Sequence, residues 1–428
     1  MLKAESSFRS QGPSYRWYIV GLLWLCGFFN YADRQAVNAV FPLLKAEFHL
    51  SDVQLGWVGS SFMIVYALSA VFAGFLVDNV SRRGLIAAGV GFWSLICAGT
   101  GFARSYGQIL FFRAAEGLGE SFYFPASMTL LADYHTPATR SRAMSIHQTS
   151  VYVGSAGGVY FAGRLAEQYG WRSPFWVLGT VGMVFALWLG TQIVEPVRGK
   201  SDGVMKKKDP FDSPDELNPP RPDLAANLGE ILSTPAALAL LGVFIGANFV
   251  ATAFLTWLPT FIGRKFAFGL ATSSLMSTAW PLSSLVGALL GGYFADLASH
   301  RPGGRIRVQA IGLLLAAPFV LATEWTTSVS GFVLSLVGVG FCKGIYDANI
   351  FATLYDVVRP PLRGTAAGLM NTVGWTGGAI APVFVGKMSA RYGLGPAIAS
   401  TAAMYLLAGL LAIVASSLAT REKRDRLA

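Results

Sequence analysis

Charge is what this chain of 428 residues has least of: Asp, Glu, Lys and Arg make up 13% of it, against 53% hydrophobic residues. An ordinary soluble domain carries about a quarter charged residues. Much of the polar coat that water requires is therefore missing. The three cysteines, Cys26, Cys97 and Cys342, have no paired spacing, which excludes a disulfide framework or cysteine metal site and leaves them packing roles. No glycine cluster follows a strand pattern and opens a phosphate-binding helix, which excludes nucleotide binding and an ATP-driven pump. The chain also lacks a metal-ligand set and a serine, histidine and acid arrangement. No cofactor or metal is expected, and an intramembrane enzyme is the weaker alternative class.

What the chain has instead is long uncharged runs, at 54–77, 84–103, 143–163, 173–194, 231–263, 266–295, 308–323, 325–342, 364–386 and 392–420. Each is near or above the roughly 17 to 25 residues of a spanning helix. Two further runs, around Asp33 and around Arg113, are interrupted by charge. Together they predict an all-α integral membrane protein with twelve transmembrane helices. The polar start, MLKAESSFRSQGPSYR, is followed by no small-residue cleavage site, so no removable signal peptide is read. A net charge of +10 would suit nucleic acid. With both termini cytoplasmic, however, most of the 33 basic residues fall in inside segments, which is the positive-inside rule and not a nucleic-acid patch. A multi-pass protein of the cell (inner or plasma) membrane, working as a monomer, is expected.

Hydropathy collapses in EPVRGKSDGVMKKKDPFDSPDELNPPRPD, which reads as a partly mobile cytoplasmic linker over 195–235. It separates two six-helix bundles, 1–194 and 236–428, the second with a cytoplasmic tail. The bundles resemble each other. Displaced by 223 positions, Gly117, Tyr123, Asp133, Arg140, Gly154 and Gly170 meet Gly340, Tyr346, Asp356, Arg363, Gly377 and Gly393. Earlier in each half a displacement of 218 matches Gly74 with Gly292 and Asp78 with Asp296. Parallel six-helix repeats with a site between them are a recurrent transporter plan. The 48 glycines gather in the spans, as in GSAGG at 154–158, which suits helices that approach closely and slide.

The segment GFLVDNVSRRG at 74–84, with a weaker copy GGYFADLASHRPGGR in the second half, resembles the cytoplasmic loop signature of the major facilitator superfamily. NYADR in the first helix, RAAEGLGESFYFP in the fourth, GWRSPFW before the sixth and WLPTFI in the seventh resemble its anion:cation symporter branch, which includes sugar-acid and other organic-anion carriers. GLGES and EPVRG are also similar to the spinster-like branch, associated with lysolipids and sphingoid phosphates. The resemblance covers nearly the whole chain. It implies two pseudo-symmetric bundles, alternating access, and symport of a small organic anion with protons; a spinster-like lipid carrier is the alternative.

The charges inside the spans carry the chemistry. An ionised group at that depth costs roughly 2.5 to 3.5 kcal/mol on insertion scales, so Asp33 and Arg34 in NYADRQ need a reason to be there. At about 100° per residue they point different ways, and one can face a cavity while the other meets a neighbouring helix. Arg113, Glu116 and Glu120 share an arc of about 60° on the fourth helix. Burial and a nearby guanidinium push a carboxylate's protonation in opposite directions, so an anion that competes for the guanidinium lets the acid take a proton more easily, which couples the two cargoes. Asp33 and Glu120 are the expected proton carriers, and Arg34 and Arg113 the anion holders. The resembling symporters use the matching acidic and arginine positions in this way. The alternative is that these four form structural ion pairs. Glu116 departs from the branch pattern, and both pairing with Arg113 and a second proton site stay open for it.

Lys343 and Asp347, four apart, share a face of the tenth helix and can neutralise each other. The repeat sets Lys343 opposite Glu120, where it would add a second anion anchor. Gln148 and Tyr152 match Asn371 and Trp375, amide and aromatic groups suited to a hydroxyl-bearing substrate or to helix contacts. His147 reads as a hydrogen-bonded helix residue. Asp78, Arg82 and Arg83 in the cytoplasmic loop, Asp133 with Arg140 or Arg142, and Asp356 with Arg363, read as gate latches that pair across the bundles in one state; setting topology by positive charge is the other reading.

Overall fold

The computed structural model describes residues 13–196, 224–359 and 362–425, and every regular element among them is a helix. The first half contains α1 (Pro13–Ala39), α2 (Phe41–Phe48), α3 (Asp52–Asn79), α4 (Arg82–Thr100), α5 (Tyr106–Glu120), α6 (Tyr123–Tyr134), α7 (Pro137–Tyr169) and α8 (Ser173–Gln192). After α9 (Leu224–Leu232), the second half contains α10 (Pro235–Phe266), α11 (Leu270–Ser277), α12 (Ala279–Ala298), α13 (Gly304–Trp325) and α14 (Val329–Asp347). It continues with α15 (Ile350–Val357), α16 (Arg363–Tyr392), α17 (Leu394–Ser400) and α18 (Ala402–Asp425).

Local chemistry sets the boundaries. Ser51 starts α3 with a capping box closed by Gln54, and Ser81 and Ser105 cap α4 and α5 by accepting the N–H groups of Gly84 and Gln108. Proline opens α7 and α10, where its missing N–H costs nothing. Further along, proline interrupts. Pro125 and Pro281 cannot donate to Ser121 and Ser277, and the chain breaks there, between α5 and α6 and between α11 and α12. Gly170 and Gly393 end α7 and α16 at φ 84° and 88°, the left-handed region that favours glycine. They are repeat-related positions, so the internal duplication is visible in the backbone.

Eight of the helical stretches are long and apolar enough to cross a membrane. Of the twelve expected spans, the other four fall on α1, on α5 with α6, on α7 and on α16, which are helical but hold Asp33, Arg34, Arg113, Glu116 and Glu120 or many small and polar residues. The expected linker is partly helical: α9 lies within 195–235 and buries Ile231, while 197–223 lie outside the described residues.

Tyr15 donates to the Gln192 carbonyl at 2.7 Å, and the Ala236 N–H reaches Glu422 at 3.2 Å. The first helix, the end of α8, the start of α10 and the last helix thus meet at one end of the molecule, here named the linker end. Within the first half α1 packs on α7, α3 on α5 and α4 on α8; across the halves α3 packs on α16, α7 on α11 and α1 on α10. The cross-half seams are tightest at the far end. A Cβ on Gly56 would lie 2.5 Å from the Pro382 carbonyl oxygen, and one on Gly386 would lie 2.5 Å from that of Asp52. Phe41 and Trp257 meet there edge to face, centroids 5.6 Å apart, within a buried apolar cluster shared by both halves.

The α1–α7 contact supplies a direct check. A Cβ on Gly158 would fall 2.3 Å from Ala32 Cα, whereas one on Gly21 meets nothing within 4 Å. Gly158→Ala is expected to destabilise the protein by about 1–3 kcal/mol through overpacking, and Gly21→Ala to be neutral or slightly stabilising. Thermal unfolding in detergent reads both, and equal melting temperatures would contradict the packing.

Candidate functional site

The two neighbouring charges of NYADR part company. Arg34 turns to the seam between the halves and donates through Nε at 3.0 Å and Nη2 at 2.7 Å to one oxygen of Glu120, Oε2. Both side chains are buried, at 3% and 0% exposure. The second oxygen, Glu120 Oε1, is buried and has no hydrogen-bond partner among the described residues. Aromatic faces enclose the guanidinium: its carbon lies 4.6 Å from the Tyr31 ring, 4.7 Å from Phe62, 5.0 Å from Tyr66 and 5.9 Å from Trp375. Trp375 belongs to the second half and touches Tyr66 at 5.3 Å between centroids. Sequence reasoning named Trp375 but missed Tyr31, Phe62 and Tyr66. Tyr31 stands three positions before Arg34, on the same face, and that spacing was the available signal.

Asp33 points the other way, into the first half, where it is fully buried and, among the described residues, neither oxygen makes a hydrogen bond of good geometry. Trp93, Cys97 and Glu116 are its neighbours, and the Trp93 Nε1 is likewise unpartnered. Arg113 pairs with Glu116 on its own helix, reaches the Arg34 carbonyl at 3.4 Å and lies 4.7 Å from the Phe62 ring. Arg113 and Glu116 thus form a pair within the first half, joined to the seam through Phe62 and the backbone of α1. His147 meets Tyr123 at 2.7 Å, as a hydrogen-bonded helix residue should.

On the opposite side of the seam Lys343 pairs with Asp347, and the Tyr152 hydroxyl crosses from the first half to donate to Asp347 Oδ2 at 3.3 Å. The Lys343 ammonium lies 5.6 Å from the Trp280 ring. These groups are less enclosed than Arg34: the Lys343 and Asp347 side chains are 14% and 16% exposed. Asn371 and Trp375 are half-buried and Gln148 is exposed. A cleft of about 520 Å³, lined by Phe102, Ser105, Gln108 and Phe111, lies on the surface of α4 and α5 and holds none of these charges. Beside Gln35, Ser155 and Trp280 there is a void of only about 10 Å³.

The far end is clamped by a cluster that sequence reasoning missed. Asp52, at the start of α3, accepts both Arg264 nitrogens at 2.7 and 2.8 Å, Lys45 at 2.6 Å and the Ser389 hydroxyl at 2.6 Å. Arg264 and Ser389 belong to the second half, more than two hundred positions away, so local spacing held no signal. Nearby, Trp171 and Arg172 of GWRSPFW bind Glu47 at 2.6 and 2.7 Å. The Arg172 hydrogen bond holds the Glu47 carboxyl below its usual range.

At the linker end the expected latch residues make the following contacts. Arg82 pairs with Asp133 and with Glu195 at 2.8 Å, and donates to the Thr129 and Pro196 carbonyls at 3.2 Å. Arg83 donates its N–H to Glu195 at 2.8 Å and its Nε to the Gly190 carbonyl at 2.9 Å. These partners all lie in the first half or just past it, because α4 and α8 pack side by side and bring the start of one to the end of the other. Arg140 reaches the His135 carbonyl at 3.4 Å, and Arg142 lies over Trp17. Asp356 meets Arg305 at 3.2 Å instead of Arg363, since Arg363 lies over the Tyr355 ring and donates to the Tyr355 carbonyl. The Asp78 side chain lies outside the described residues. Burial pushes Glu195 up, but the Arg83 N–H and the Arg82 guanidinium outweigh it and hold the carboxyl below its usual range.

Comparison with known proteins places these features. The sequence family described as the Major Facilitator Superfamily matches residues 23–382 and 261–426. The chain is 28% identical to the probable anion transporter 1, chloroplastic, of Oryza sativa subsp. japonica, over 87% of this chain and 71% of that protein. It is 25% identical to the probable galactarate/D-glucarate transporter of Escherichia coli strain K12, over 89% of each. Its fold superposes with a TM-score of 0.83, at 21% identity and over 96% of this chain and 99% of the other, on a bacterial homolog to the human lysosomal transporter Spinster in an inward-facing and unoccupied conformation.

Two outcomes follow from the charged clusters at the ends. Asp52→Asn is expected to loosen the far end, so that a cysteine placed at Ser274, buried where α11 meets α7, reacts severalfold faster with a hydrophilic thiol reagent than in the parent; an unchanged rate would show that the clamp closes nothing. A depressed Glu195 contributes stability above its unfolded value of about 4.3 and loses it as pH falls through the folded value. Melting temperatures of Glu195→Gln should therefore lie below the parent at neutral pH and converge with it in acid, and parallel curves would contradict the pairing.

Proposed function

The chain belongs to the major facilitator superfamily, and on that premise we propose that it is a proton-coupled symporter of a small organic anion, a sugar acid or other carboxylate. The observation that carries this reading is the buried Arg34–Glu120 pair, set where the two halves meet and walled by aromatic rings from both. A carboxylate entering that box competes with Glu120 for Arg34. The displaced acid, with no water to solvate it, takes a proton on its free oxygen, and cargo and proton move together. Asp33 is the second proton carrier, a buried carboxyl with no cation bonded to it. Arg113 fixes the backbone of α1 beneath Arg34, and Gln148, Tyr152, Asn371 and Trp375 meet the hydroxyl groups of the cargo. Relatives named as anion and sugar-acid transporters support this choice of cargo.

The far-end seam is shut by Asp52, while Gln148, Lys343 and Asp347 keep contact with solvent. We read this as the inward-facing state of an alternating-access cycle, with both termini cytoplasmic in the cell membrane and one chain as the working unit. The division into 1–194 and 236–428 supplies the two bundles that rock against each other. Charged groups on the seam favour a small anion over the lysolipid alternative, which calls for an apolar cavity open to the bilayer.

Glu120→Gln separates coupling from binding. In proteoliposomes it is expected to abolish accumulation driven by a pH gradient while sparing counterflow exchange of the same anion, because exchange needs no net proton movement. Equal loss of both activities would assign Glu120 to binding or folding instead.

A further inference from the structure

Away from the far end, two cations on the seam are each capped by a carboxylate: Arg34 by Glu120 from the first half and Lys343 by Asp347 from the second. Tyr31 is near both pairs: its ring is 4.6 Å from the Arg34 guanidinium, and its hydroxyl interacts electrostatically with both Glu120 and Asp347. Tyr152 closes the far side of the second pair by bonding Asp347 across the seam. Ionised groups within a spanning helix are costly to insert, and an i,i+4 contact on one helix returns little of that. The Lys343–Asp347 pair is therefore a poor strut for α14, and its partial exposure leaves it open to a solute.

We propose that the cargo is a dicarboxylate, one end held by Arg34 and the other by Lys343, and that Asp347 accepts a proton as Glu120 does. This rests on the reading of Arg34–Glu120 as the coupled pair. A monocarboxylate engages one cation and leaves the other capped. A dianion displaces both internal carboxylates, and two protons, one on Glu120 Oε1 and one on Asp347, restore the charge of the site. The groups facing Glu120 are Arg34, Tyr31 and Asp33 from α1, Tyr66 from α3, Cys97 from α4, and Glu116 and Arg113 on its own helix. Those facing Asp347 are Lys343 on its own helix, Tyr152 from α7, Tyr31 from α1, the adjacent Tyr346, and Tyr405 from α18.

The test uses acids that differ in the second carboxylate alone. Galactarate and galactonate share a six-carbon hydroxylated chain, as succinate and butyrate share four carbons. Titrations of the purified full-length protein, read by thermal stabilisation, are expected to show at least tenfold tighter binding of the dicarboxylate in one or both pairs. In Lys343→Gln/Asp347→Asn that ratio is expected to collapse toward one, with a cooperative melt confirming the fold. Equal affinity for mono- and dicarboxylate in the parent, or a ratio untouched by the double substitution, overturns the inference and leaves the organic-anion reading standing. Stabilisation by none of the four acids overturns both.

Discussion

A guanidinium with almost no access to water is the constraint from which the rest of this molecule follows. Arg34 sits at the seam of two helical bundles with one carboxylate oxygen for a partner and ring faces for walls. Removing one member of such a buried pair leaves an uncompensated charge, at a cost of about 3–5 kcal/mol. The pair can therefore open only if both members are compensated at once, the cation by an anion and the acid by a proton. In the function proposed here, that double requirement ties an anion to a proton. The aromatic walls sharpen it: cation–π contact favours Arg34 by up to about 2 kcal/mol when desolvated, yet it offers nothing to a bare carboxylate.

The helices place this pair where both sides of the molecule can act on it. α1 and α5 supply its members, α3 supplies Phe62 and Tyr66, and α16 brings Trp375 from the second half. The same two helices, α3 and α16, continue to the far end, where glycines at 56 and 386 let the backbones nearly touch and Asp52 clamps the seam with a bidentate arginine. In the proposed cycle, one surface joins the occupancy of the site to the closure of the far end. A cargo that rearranges the rings around Arg34 acts on the helices that Asp52 holds, which is the differential contact a conformational equilibrium responds to. The second ion pair, Lys343 with Asp347, lies on the more open side.

Much of this was legible in the amino-acid order, and what was not has a physical reason. Periodic apolar runs gave the helical membrane fold, and the 223-residue displacement that aligns Gly170 with Gly393 reappears as two helix ends with nearly the same positive φ. Angular spacing placed Arg113, Glu116 and Glu120 on one face. It did not say that Glu120 would reach another helix while Glu116 kept Arg113, because that choice is made by packing of α1 on α5. Asp133 lies closer in sequence to Arg140, and nothing local says that the Arg82 side chain also reaches it, from 51 positions upstream. The Asp52 clamp joins residues 212 and 337 positions apart, and no local pattern encodes such a meeting. Helix α9 escaped because Pro and charge dominate the segment around it.

The central claim is that anion binding frees Glu120 to take up a proton. Calorimetric titration of the purified protein with a bound organic acid, in buffers of different ionisation enthalpy, counts the protons taken up on binding. The account predicts net proton uptake in the parent that falls by about one in Glu120→Gln. An anion that binds the parent with no proton uptake, or with an uptake that Glu120→Gln leaves unchanged, would contradict it.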